Sequence, residues 1–128
     1  MDLRNLTEDE VKLYQQQFHG YPDALMALDL IAENDGNLRS TTKLLALQAG
    51  MTNSSTRRNE SDILDELSNR FRKTICDELF INDLLSGLLV SCVSALAATG
   101  QIPVAVATPV VIYLSKIGLR TWCQAKGD

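Results

Sequence analysis

An all-α fold is predicted by three features of the sequence. A helix-start box stands at Thr7-Glu8-Asp9-Glu10, and Leu64, Leu67, Phe71, Ile75 and Leu79 form an apolar stripe at helical spacing. An uncharged stretch then runs from Leu84 to Ser115, split by Gly100-Gln101-Ile102-Pro103. The expected arrangement is a small N-terminal three-helix module over 1–50, a polar linker over 51–60, and an amphipathic helix with an apolar helical hairpin over 61–128.

The first helix starts where the Thr7 hydroxyl can accept an early backbone N–H and Glu10 can reach back to the cap. Val11, Tyr14 and Phe18 then fall on one face. His19-Gly20-Tyr21-Pro22 ends it, because Gly takes a left-handed position and Pro cannot continue the helix. Asp23 is the expected cap of the second helix, whose apolar set is Leu25, Leu28, Ile31 and Ala32. Asn34-Asp35-Gly36 is a turn by composition. Asn37 caps a third helix carrying Leu38, Leu44, Leu45 and Leu47, and Gly50 ends it.

From Met51 to Glu60 there is almost nothing to bury, so ordering the segment would cost entropy without return. Ser61 or Asp62 caps the amphipathic helix, which places its acids and bases away from the leucine stripe. Beyond Asp83 the chain is apolar or small on every face, the pattern of a helix buried all round. The second arm begins at Val104 and contains Pro109, which should begin or kink a helix. The alternation Val104-Ala105-Val106-Ala107-Thr108 would also suit a short strand, but no partner strand is evident. Lys116, Arg120 and Lys126 suit the negative end of a closing helix.

Three environments could cover the uncharged hairpin. It is the core of a helical bundle, it is completed by a second copy or another protein, or it enters a bilayer. A spanning helix needs roughly 20 apolar residues, more than either arm supplies alone. Leu88 and Val93 on the first arm, Pro103 and Pro109 on the second, and Trp122 after it are the residues through which the hairpin would meet a second copy or a membrane.

With 128 residues, a net charge of -4 and 45% hydrophobic residues, the chain has the composition of an ordinary folded domain without the basic field of a nucleic-acid binder. Acids outnumber bases up to Asp83 and bases outnumber acids after it. Arg57-Arg58 and Arg70-Phe71-Arg72-Lys73 are the candidate anion cluster, and interleaved acids make it read as a salt-bridged surface. The single histidine, His19, and the dispersed Cys76, Cys92 and Cys123 give no metal-binding spacing; no phosphate-cradling glycine loop occurs. A Cys–His nucleophile would need His19 beside one of those thiols, and Cys92 lies in the apolar arm, where it reads as a small hydrophobe. No catalytic residue, metal or cofactor is expected, and the chain reads as a non-enzyme. The polar opening Met1-Asp2-Leu3-Arg4-Asn5 and an odd cysteine count point to a cytoplasmic chain with unpaired thiols, with membrane association as the alternative. The Asn-x-Ser/Thr triplets at Asn5, Asn53 and Asn59 are read as structural.

The order of the first three helices, with Gly20-Tyr21 in the first loop, Gly36-Asn37 in the next turn and Leu44-Leu45 closing the third helix, resembles a ubiquitin-associated (UBA or CUE-like) domain over residues 7–49. His19 replaces the usual loop Met, and Thr41-Thr42 stands where the family favours Ala. The resemblance implies a protein-binding patch made by Gly20, Tyr21, Leu44 and Leu45, with a ubiquitin-like protein as a possible partner. The function expected is that of a non-enzymatic adaptor or regulatory protein. Its N-terminal module recruits a protein and its C-terminal helices oligomerise or anchor; the alternative is a membrane-associated helical-hairpin effector.

Overall fold

The computed structural model describes residues 4–51 and 63–125, and over these residues the fold is all-α. Its helices are α1 (Glu8–Gln17), α2 (Pro22–Glu33), α3 (Leu38–Gln48), α4 (Ile63–Arg70), α5 (Arg72–Ile75), α6 (Glu78–Leu85), α7 (Leu89–Ala97), α8 (Val104–Ile117) and α9 (Leu119–Ala125). Apart from Met51, the expected linker lies outside the described residues, as do Asn53, Arg57-Arg58, Asn59 and the expected caps Ser61 and Asp62.

The N-terminal helices begin as the sequence predicts, with one change. At α1 the Glu10 N–H donates to Thr7 Oγ1 at 3.1 Å and the Thr7 N–H donates to Glu10 Oε1 at 2.9 Å. Asn37 caps α3 by accepting the Ser40 N–H at 2.9 Å. At α2 the expected cap Asp23 is displaced: Tyr21 holds the cap position and Pro22 is the first helical residue. The fixed φ of proline suits that position, where a backbone N–H would be left over in any case. The chain before α1 is pinned to the α2–α3 turn by Leu6 N–H to Gly36 O at 2.7 Å and Leu38 N–H to Arg4 O at 2.8 Å. This approach requires glycine, since Gly36 has φ +82° and a Cβ there would collide with the Leu6 carbonyl.

The single amphipathic helix expected over 61–80 is three segments. Its stripe holds through Leu64, Leu67, Phe71 and Ile75, all buried. The chain then leaves helical geometry at Cys76 and Asp77, where the Asp77 carboxylate takes the Leu79 N–H at 3.0 Å and starts α6 afresh. Aspartate favours such local capture of a backbone N–H over a helix interior. The restart changes the face that turns inward: Phe80, Ile81 and Leu84 are buried, and Leu79 is 75% exposed.

The first uncharged arm is also divided. Gly87, at φ +82°, separates α6 from α7, and α7 is one-sided: Leu89, Cys92, Val93 and Leu96 are buried, while Ser91, Ser94, Ala95 and Ala98 are exposed. The second arm is one helix. The segment 104–108 is helical, not a strand, and α8 continues through Pro109 to Gly118. Every residue from Val106 to Leu114 is buried. α8 packs on α2, α3, α4, α7 and α9, so its cover comes from its own chain.

A single apolar cluster runs from Leu6 to Leu119 and joins the N-terminal helices to the C-terminal ones. Polar ties cross the same boundary. Arg4 donates to Asp65 Oδ2 at 3.3 Å while lying over the Tyr113 ring, and Tyr113 donates to the same carboxylate, at Oδ1, at 2.6 Å from within the C-terminal helices. Lys116 Nζ meets Glu10 Oε2 at 2.8 Å. Among the described residues no helix is long and apolar enough to cross a membrane.

Candidate functional site

The residues of the expected partner-binding patch separate into outward and inward groups. Gly20, at φ +91° with open space around it, and Tyr21, 46% exposed, lie on the surface of the α1–α2 connection. On α3 the pair Leu44-Leu45 splits, because adjacent helical positions point about 100° apart. Leu44 is 39% exposed, Leu45 is 2% exposed and belongs to the core. Leu47, one turn beyond Leu44, is the second outward leucine of α3. Leu45 is therefore a packing residue in the free chain, and the outward set is Gly20, Tyr21, Leu44 and Leu47.

The hairpin candidates divide in the same way. Val93 and Pro109 are buried and Pro103 is exposed. Leu88 is 52% exposed beside Gly87, and with Leu79 and Leu85 it leaves three large leucines outside on α6 and the turn that follows. Tyr21 and Val93, expected in separate modules, share the lining of a narrow crevice with Phe18, Val90 and Val104. Trp122 is half-buried, with the Arg72 guanidinium over its ring at 4.5 Å from the centroid.

Cys76 and Cys123 form a disulfide between the end of α5 and α9, which corrects the expectation of unpaired thiols. A sequence separation of 47 carries no pairing signal, and three cysteines allow three different pairs. The remaining thiol, Cys92, is buried, and desolvation, assisted by the nearby Asp83 charge, pushes its pKa up to about 12. His19 is exposed on the α1–α2 connection. No described thiol is thus poised as a nucleophile, and among the described residues no three His, Cys, Asp or Glu side chains gather as a metal site would require.

The basic run that the sequence singles out, Arg70-Phe71-Arg72-Lys73, gains a partner from the far end of the chain. Arg70, Arg72 and Lys73 line an open groove with Arg120 of α9 and with both cysteines of the disulfide. Arg72 holds α9 by donating through Nη2 to the carbonyls of Cys123 at 2.8 Å and Trp122 at 3.4 Å. Its Nη1 is buried without a hydrogen-bond partner. Arg120 pairs with Glu78 at 3.5 Å and Arg70 with Glu66 at 3.9 Å, contacts at the solvent edge that add little to stability.

The fold and these surfaces define an all-α bundle with exposed leucines on α1 (Leu13), on α3 and around the α6–α7 turn, and a cationic groove beside a disulfide. Compared with protein-family profiles, curated proteins and solved structures, the chain gives no match.

Proposed function

We propose that this chain is a non-enzymatic adaptor or regulatory protein acting through protein–protein contact. Its N-terminal helices recruit a partner through Tyr21, Leu44 and Leu47, and its α6–α7 corner mediates self-association. The observation that carries the reading is the outward placement of Leu79, Leu85 and Leu88, at 75%, 58% and 52% exposure, beside α8, whose residues from Val106 to Leu114 are covered by their own chain. A single exposed leucine needs no explanation. Three on one short helix and its following turn form the kind of apolar corner that a second surface covers.

Size-exclusion chromatography with light scattering tests the self-association. The wild-type chain is expected to show a mass above 14.1 kDa that falls on dilution, and Leu79→Ser/Leu85→Ser/Leu88→Ser is expected to return it to the monomer mass. A wild-type chain that stays monomeric up to millimolar concentration removes this half of the proposal. For the recruiting half, the UBA-like order of helices suggests ubiquitin as the first partner to titrate. Amide shifts confined to residues 18–22 and 43–48, abolished by Leu44→Ala/Leu47→Ala, are the expected result. Unmoved amides throughout those segments would end the ubiquitin version.

A further inference from the structure

We propose that the Cys76–Cys123 disulfide is a thiol-exchange site for anionic low-molecular-weight thiols of the glutathione class, with the groove beside it as their docking surface. Both cysteines line an open groove of about 1060 Å³ and are only partly buried, so the bond is accessible to solutes. Among the described residues the lining carries Arg70, Arg72, Lys73 and Arg120; Glu78 of the lining pairs with Arg120 and Glu66 beside it pairs with Arg70, which leaves an excess of two positive charges in a chain whose overall charge is -4. That local field attracts a thiol bearing carboxylates, and it favours the thiolate that must leave when the disulfide opens.

The chemistry balances without another reactant. A thiolate attacks Cys123 Sγ, the Sγ–Sγ bond breaks, and a mixed disulfide forms on Cys123 as Cys76 departs as thiolate. Cys76 follows Arg72 and Lys73 by four and three residues and shares their groove, which makes it the stabilised leaving group. A second thiol attacks the mixed disulfide and releases the oxidised small disulfide. Two small thiols have then given up two electrons and two protons, and Cys76 and Cys123 are both thiols.

The bundle is built to survive this step. α9 keeps its place through the fully buried Leu119, the two Arg72 hydrogen bonds to its carbonyls and the Arg72–Trp122 stack, none of which uses the sulfur atoms. Cys92 is too buried to divert the exchange.

The test compares reduction of the native full-length chain by glutathione and by glutathione diethyl ester, which lacks the free carboxylates, with Cys76 and Cys123 read by alkylation and mass spectrometry. Glutathione is expected to react about three- to tenfold faster than the ester at low ionic strength, with the gap closing as salt is added. Arg70→Gln/Lys73→Gln/Arg120→Gln, all at exposed positions, is expected to close the gap without salt. Equal rates for the acid and the ester in the wild-type chain would overturn the docking groove. A disulfide that neither thiol opens unless denaturant is present would overturn the exchange site itself. Should the triple variant fold poorly, the wild-type salt series and Lys73→Gln alone decide the same question.

Discussion

Along α8 every side chain from Val106 to Leu114 is buried, whereas α7, taken from the same uncharged stretch, buries only Leu89, Cys92, Val93 and Leu96. The two helices have no charged residue to tell them apart up to Ser115; they differ in what stands on the second face. On α7 it is Ser91, Ser94, Ala95 and Ala98, residues that lose little by meeting water. On α8 it is Val106, Val110, Val111 and Ile112, and α8 is packed by α2 and α3 of the N-terminal module and by α4. Absence of charge alone does not make a helix central; bulk on both faces does.

The sharpest way to test this difference is chemical. Cys92 faces inward on α7, and its pKa of about 12 leaves about a thousandth of the thiolate that an ordinary thiol has at pH 8. Ser94, two residues on, is exposed. In the reduced chain, Ser94→Cys is expected to react with iodoacetamide at least about a thousandfold faster than Cys92, which should react at the rate of global opening. Comparable rates, measured by mass spectrometry of peptides, would show that α7 does not hold the face described.

The next largest contrast is in stability. Ile112→Ala removes a fully buried side chain from α8 and is expected to cost about 3 kcal/mol in urea unfolding. Ala95→Lys on the outer face of α7 is expected to change stability by less than about 0.5 kcal/mol. If Ala95→Lys proves as damaging as Ile112→Ala, then something covers α7 in solution, and the α6–α7 corner is the first place to look for it.

What could be read from the chain in advance follows the range of the forces involved. The capping box at Thr7, the Asn37 cap and the helical period are local, and they stand as expected. The break at Asp77 runs against a leucine stripe that continues past it to Leu79. There a side chain capturing its own backbone defeats periodicity, and no count of apolar positions registers the competition. Of the outward surface, Gly20, Tyr21, Leu44 and Leu88 were legible, but Leu45 was not distinguishable from Leu44 without knowing which side of α3 meets α8. The disulfide, the groove it borders and the covering of α8 all join segments distant in the chain, and such pairings leave no trace in spacing.

A small effect is expected from a tie between α1 and α8, which adds an ion pair to the packing of α8 on α2 and α3. Glu10 has its pKa lowered, first by the side-chain hydrogen bond from Lys116, then by the Thr7 backbone N–H. A carboxylate with a depressed folded pKa contributes stability that is present above its unfolded value near 4.5 and is lost as pH falls through the folded one. Part of the pair is open to solvent, so Lys116→Met is expected to cost only about 0.5 kcal/mol at pH 7. That difference should shrink as urea midpoints are followed downward from pH 4.5, because protonated Glu10 has less to gain from the ammonium. A penalty that stays constant down to pH 2.5 would mean that Lys116 stabilises α8 through its aliphatic stem and not through Glu10.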